Sequence, residues 1–340
     1  MKVFLKKEEL NELLARRAQE GRLFAPIKRE NFLQWGKVKS GAEITSFETE
    51  INTREPAKGF VFPRSEVMFE FDGERAVEVV DENGPMVVFG LRPCDGRAIS
   101  FLEKFFIENA PVDPVVQRRR EKITFVGVAC DSPADSCFCS AVGGGPYEKK
   151  GLDVLLMEVE NGFLGEAMSE RGESFLTGFP EATEKEEKEA ERRQKEAEGK
   201  IGLRIDLERL KEVLDNGYNL PVWERLTLEC VNCGACTFLC PTCHCFDVTD
   251  ETVRGKKMRM RVWDSCQFAL YSQHGSGHNP RLDPAKRYRN RVMDKFKYTV
   301  EMVGEVSCVG CGRCVRVCPA GIDIRQAVQE VLKAVEGENR

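Results

Sequence analysis

The sequence predicts an α/β N-terminal domain over residues 1–200, followed by a mainly α-helical domain over residues 201–340. Three observations point there. Short apolar runs alternate with helical patterns through the first half. Residues 181–200 (EATEKEEKEAERRQKEAEGK) are almost entirely charged or alanine and mark a boundary. Eight of the fifteen cysteines fall into two matching runs in the second half.

The first helix carries Leu10, Leu13 and Leu14 on one side, and Gly21 is its natural stop. Strands are expected at 67–71, 76–80, Met86–Leu91, Ile123–Val128 and Val154–Val159. Met86–Leu91 and Ile123–Val128 are nearly continuous apolar runs, as in strands buried on both faces. Between them Ile99, Phe101, Leu102, Phe105 and Phe106 form a helical pattern. The strand–helix–strand unit implies a parallel pair. The 181–200 segment reads as a solvated helix with Glu/Lys pairs four apart, or as a hinge. Residues 203–214 then form a helix leading to the first cysteine run.

That run is Cys230-x2-Cys233-x2-Cys236-x3-Cys240-Pro241; the second is Cys308-x2-Cys311-x2-Cys314-x3-Cys318-Pro319. This is the bacterial two-cluster ferredoxin spacing, in which three cysteines hold one [4Fe–4S] cube and the fourth ligates the other. Two-residue gaps wrap three corners of a cube, and the longer step carries the chain toward the neighbouring cluster. Proline then enforces an extended exit. Zinc is the competing ligand reading, but zinc sites use two pairs of ligands per metal. The second domain is therefore expected to be a helical dicluster ferredoxin domain with a 67-residue insert, 241–307, between the runs. The insert is basic: Arg281, Lys286, Arg287, Arg289, Arg291, Lys295 and Lys297 read as a charged surface, a docking face for an acidic partner, or a source of positive charge that raises cluster potential. Ile324, Ala327, Val328, Val331 and Leu332 predict a closing helix.

Seven cysteines remain. Cys94 lies just beyond Met86–Leu91, and Cys130 just beyond Ile123–Val128, with Cys137 and Cys139 on the same loop as Cys130. In open α/β sheets the C-terminal strand edge is where ligands bind. Four thiols there match the count for a third [4Fe–4S] cluster, with zinc or a redox-active thiol set as alternatives. Cys243, Cys245 and Cys266 read as S–H groups packed around a cluster, as ligands of a further metal with His244, or as a dithiol pair. His274 and His278 read as surface or packing residues, and Gly143-Gly144-Gly145-Pro146 as a turn. The chain carries no nucleotide or flavin fingerprint and no basis for a Ser/His/Asp triad.

Length and composition fit this frame. At 340 residues, 31% of them charged, the chain suits two globular domains, and its net charge of −5 argues against nucleic acid as main partner. No apolar stretch approaches a membrane span, and the start lacks the apolar core of a signal peptide. A cytoplasmic location follows as an expectation, where thiols stay reduced and metal ligation is favoured over disulfides.

One ordered set of motifs carries a resemblance. Phe89-Gly90-Leu91-Arg92-Pro93-Cys94-Asp95, Cys137-Phe138-Cys139, Cys240-Pro241-Thr242-Cys243-His244-Cys245, Trp263-Asp264-Ser265-Cys266, Gly277-His278-Asn279-Pro280-Arg281 and the second run follow one another over residues 86–325. This order resembles the iron–sulfur beta subunit of cytoplasmic hydrogenases and sulfhydrogenases, and the related ferredoxin-type component of anaerobic sulfite reductases. The resemblance implies a non-catalytic electron-transfer subunit of an anaerobic oxidoreductase complex. It would relay electrons between a flavin/NAD(P)-binding subunit on one side and a catalytic redox subunit on the other. The segment 181–200 and His244, where an aromatic residue is more usual, depart from the pattern. Two other readings stand beside it: an enzyme reducing a disulfide or sulfur species at the additional cysteines, and a structural metal-binding scaffold.

Overall fold

A computed structural model describes residues 1–39, 52–80 and 84–338, with backbone alone for 335–338. The chain forms two compact units. The first comprises Met1–Val61, Glu82–Leu203 and Val309–Cys311; the second comprises Phe62–Asp81, Arg204–Cys308 and Gly312–Arg340.

The first unit is a seven-stranded mixed sheet. Its strands are β1 (Lys2–Lys6), β2 (Leu23–Arg29), β3 (Phe32–Lys37), β6 (Met86–Leu91), β7 (Ile123–Val128), β8 (Val154–Val159) and β9 (Gly162–Ala167), in the order β1-β9-β8-β7-β6-β2-β3. The central pairs β2–β6, β6–β7 and β7–β8 are parallel, as the apolar runs of β6 and β7 required. Antiparallel pairs close both edges. Helix α1 (Lys7–Gln19) buries Leu10, Leu13 and Leu14 in a core shared with Val126, Val128 and Leu156. It ends before Gly21, whose φ of 74° is the left-handed turn the stop demanded. Helices α2 (Pro93–Glu103) and α3 (Pro114–Glu121) fill the β6–β7 crossover. Helix α4 (Glu170–Phe175) follows β9. The charged segment forms α5 (Glu184–Gly199), a helix and not a hinge. It lies against β8 and β9, with Ala190 and Ala197 as its buried positions.

The second unit contains a four-stranded antiparallel sheet, order β10-β11-β4-β5. Its strands are β4 (Ser65–Asp72), β5 (Arg75–Glu78), β10 (Phe246–Val253) and β11 (Lys256–Trp263). The expected strands at 67–71 and 76–80 therefore exist, but in this sheet. The expectation of a mainly helical C-terminal domain is corrected: the insert holds the β10–β11 hairpin. Its turn residues Arg254 and Gly255 have φ of 51° and 80°, the two positive values a two-residue hairpin turn needs. Nearly every residue of β10 is exposed, so no apolar alternation advertises it. Arg261 on β11 is buried against Glu66 of β4, with Nε donating to Oε1 at 2.7 Å, and its guanidinium lies over Phe62 and Phe246 at 5.2 and 5.5 Å.

The helices of this unit are α6 (Leu207–Asn216), α7 (Val222–Arg225), α8 (Ala235–Phe238), α9 (Pro284–Met293), α10 (Thr299–Val303), α11 (Arg313–Val317) and α12 (Ile324–Glu338). A wide helical turn, Asp294–Tyr298, joins α9 to α10. Ile324, Ala327, Val328 and Val331 are the buried face of α12, which packs on α6 and α7. Among the described residues no helix is long and apolar enough to cross a membrane.

Candidate iron–sulfur centres

The two cysteine runs fold alike because each places a glycine at the same step. Gly234 (φ 71°) precedes α8 and aims Cys236; Gly312 (φ 72°) precedes α11 and aims Cys314. Only glycine takes this left-handed conformation without penalty. The short helices α8 and α11 pack on each other.

One pocket of the second unit is lined by Cys230, Cys233 and Cys236 together with Cys318, the last cysteine of the other run. Cys314, Gln267, Tyr288 and Arg291 complete its walls. Three ligands from one run and the fourth from the other is the partition the spacing implies. An all-thiol donor set of this kind suits an iron–sulfur cube. Burial pushes the Cys236 thiol up to about 11, a cost that metal binding removes by deprotonating the ligand. The backbone N–H of Ile322 donates to Cys318 Sγ at 3.3 Å, the type of bond that tunes a cluster.

Cys240 is buried at the start of the insert. A hydrogen bond from Cys243 holds its thiol well below the usual range and pushes Cys243 correspondingly up. Cys243 thus packs on a cysteine of the first run and also accepts from Arg291 Nη1 at 3.4 Å. Cys245 and Cys266 instead hydrogen-bond one another across the open end of the hairpin, where Asp264 N–H donates to Cys245 O at 3.0 Å. That bond, assisted by one from Tyr271, brings Cys245 down to about 5 despite burial. His244 Nδ1 lies 3.0 Å from Thr242 O, and burial lowers its pKa. His274 and His278 are exposed and meet edge to face at 5.3 Å.

The basic stretch is not an ordinary surface. Of its seven cations only Lys286 is exposed, while Arg287, Arg289, Arg291 and Lys295 are buried. Arg289 lies 3.5 Å over the Tyr218 ring and donates to Tyr218 O. Composition cannot separate these from solvated charges, since a cation beside thiols and one beside water read the same in sequence.

At the C-terminal edge of the parallel strands, Cys94, Cys130, Cys137 and Cys139 line one pocket of the first unit. Cys94 sits in the first turn of α2, where the helix N-terminus favours thiolate. Burial raises Cys130 and pushes Cys139 up to about 12. Arg92, which opposes the shift at Cys130, donates to Ala129 O at 2.8 Å. The Gly143–Pro146 turn joins the wall: Gly145 and Pro146 line the pocket, and Cys130 N–H donates to Pro146 O at 2.9 Å. Sequence reasoning missed that Gly310 and Cys311 also line it. Phe138 N–H donates to Gly310 O at 2.9 Å, and Asn52 Nδ2 to Cys311 O at 3.1 Å. Nothing in the spacing of the second run signals this placement.

Among the described residues no three His, Cys, Asp or Glu side chains converge on a single-ion site. The thiols are instead spread around pocket walls, as the separate corners of a cube require.

Residues 229–322 match the 4Fe-4S dicluster domain family. The chain is 32% identical to sulfhydrogenase 2 subunit beta of Pyrococcus furiosus over 338 residues, spanning 98% of this chain and 99% of that one. Shorter stretches are similar to pyruvate-flavodoxin oxidoreductase of Trichormus variabilis, 27% identical over 30% of this chain and 6% of that protein. A putative pyruvate-flavodoxin oxidoreductase of Synechocystis is 29% identical over 31% of this chain and 7% of its own. No solved structure matches the chain. With end-to-end coverage at that identity, and a dicluster domain laid over both cysteine runs, the chain belongs to the sulfhydrogenase subunit beta family.

Proposed function

We propose that the chain relays single electrons through three [4Fe–4S] clusters, between a flavin/NAD(P)-type subunit on one side and a catalytic redox subunit on the other, in a sulfhydrogenase-like complex. Cys230, Cys233, Cys236 and Cys318 hold the first cluster. Cys308, Cys311, Cys314 and Cys240 hold the second, by the same exchange of fourth ligands. Cys94, Cys130, Cys137 and Cys139 hold the third. The clusters supply one-electron chemistry when bound. The chain spaces them, excludes water and sets their potentials through N–H···S bonds and local charge.

The observation that carries this reading is the pocket where three thiols of the first run meet the last thiol of the second. The sheet-edge pocket, with four further cysteines, supports the third cluster. The relative's name places that protein in a sulfhydrogenase, and by extension this chain in a hetero-oligomer of the same kind. A cytoplasmic location is part of the same proposal.

Anaerobic purification tests it. The reading expects brown protein with about twelve irons per chain, at four per cluster. About eight irons would leave the sheet-edge cysteines without a cluster, and zinc in place of iron would end the redox reading. An anaerobic pull-down expects a flavin-containing partner; turnover of a sulfur substrate by the isolated chain would favour an enzyme instead.

A further inference from the structure

Arg287, Arg291 and Lys295 lie four residues apart along one continuous helical stretch and so share a face. All three are buried, with 3%, 2% and 1% of their surface exposed. Burying a cation is costly unless negative charge compensates it. Arg287 Nη2 donates to Asn232 Oδ1 at 2.9 Å, between Cys230 and Cys233. Arg291 donates to Cys243 Sγ and lines the pocket of Cys230, Cys233, Cys236 and Cys318. Lys295 Nζ contacts Thr242 Oγ1 and Ser307 Oγ, each at 3.3 Å. Thr242 Oγ1 in turn lies 3.4 Å from Cys240 Sγ, and Ser307 directly precedes Cys308.

The negative charge around Arg291 is sulfur. The cysteines that raise its pKa are Cys236, Cys243, Cys314 and Cys240, and no carboxylate of the described residues forms an ion pair with it. Lys295 has one carboxylate neighbour, Asp294 at 3.3 Å, which is partly exposed. A cube held by four thiolates gains a further negative charge on each reduction, and a fixed cation beside it favours the reduced form.

Building on the cluster assignment above, we infer that Arg291 and Lys295 are a pair of buried potential-setting cations. Arg291 serves the cluster of Cys230, Cys233, Cys236 and Cys318. Lys295 serves the cluster that Cys240 and Cys308 ligate. Both are positioning residues, and four residues of helix suffice to address two clusters from one face.

The test is an anaerobic redox titration of the full chain followed by EPR, with iron counted in every sample. Arg291→Met should lower the midpoint of one cluster so that the reduced-to-oxidised ratio at the wild-type midpoint falls at least tenfold, 59 mV for one electron. Lys295→Met should do the same for a different cluster. Arg291→Lys should keep the wild-type midpoint, and Arg291→Gln should not. Unchanged midpoints in iron-replete Met and Gln variants overturn the inference, as do equal midpoints for the Lys and Gln variants. Loss of iron from all Arg291 variants, Lys included, also overturns it, because the requirement would then be for guanidinium shape and not charge. Iron-free wild-type protein would instead sink the cluster assignment on which the inference rests.

Discussion

Gly310→Ala probes the sheet-edge centre without touching a thiol. Gly310 has φ of 64°, and a Cβ there would lie 2.4 Å from Cys139 N, 2.5 Å from Phe138 C and 2.6 Å from Cys139 Cα. All three are backbone atoms, so no rotamer change relieves the overlap. The left-handed conformation costs an alanine roughly 1–2 kcal/mol, and forcing extra volume into a packed site costs about 1–3 kcal/mol more. A local penalty of about 2–5 kcal/mol is a large fraction of the ~5–15 kcal/mol that holds a domain together. The cheapest relief is for the Gly310 loop to move off Phe138 and Cys139, breaking the Phe138 N–H···O bond. That opens one wall of the pocket of Cys94, Cys130, Cys137 and Cys139. Iron analysis and EPR of anaerobic protein should show loss of about four irons per chain, with the signal of the Cys230-run cluster retained. Gly304→Ala is the control: φ there is 78° and nothing lies within 4 Å of the added Cβ. It carries only the conformational term and should keep its iron. Wild-type iron, spectrum and thermal midpoint in Gly310→Ala would refute the reasoning.

Cys94→Ser should remove one cluster from the EPR spectrum and spare the other two; an unchanged iron count would sink the third site. Glu66→Ala strands the buried Arg261 guanidinium and should lower unfolding free energy by about 3–5 kcal/mol, read by denaturant titration; a loss below about 1 kcal/mol would show that water reaches the arginine. Cys245, brought down to about 5 by its hydrogen bond from Cys266, is a thiolate at neutral pH. Its alkylation rate should therefore stay level from pH 8 to about 6 and fall only as pH drops through about 5. An ordinary thiol would instead lose reactivity below its usual pKa of about 8.5, and that profile, followed by mass spectrometry of the labelled peptide, would contradict the Cys245–Cys266 pairing.

Local information determined much of this protein. The spacing of Cys230 to Cys240 and Cys308 to Cys318 is a short-range geometric code, legible because each ligand's place depends on its own few neighbours. The limits of β6, β7 and β8 and the stop at Gly21 follow from apolar runs and a required φ. The co-location of Cys94 with Cys130 follows from a parallel pair that puts both strand ends at one edge. Tertiary structure decided the rest. The β10–β11 hairpin gains its sheet partners β4 and β5 from nearly 200 residues earlier, and its exposed strand has no apolar pattern to betray it. Arg291 and Lys295 look like any surface cations until the fold encloses them with sulfur. The loop of Gly310 and Cys311 reaches the sheet-edge pocket through backbone hydrogen bonds, which leave no mark on composition or spacing. Contacts between distant segments depend on how the whole chain packs, and a run of residue types records only what each residue needs from its nearest neighbours.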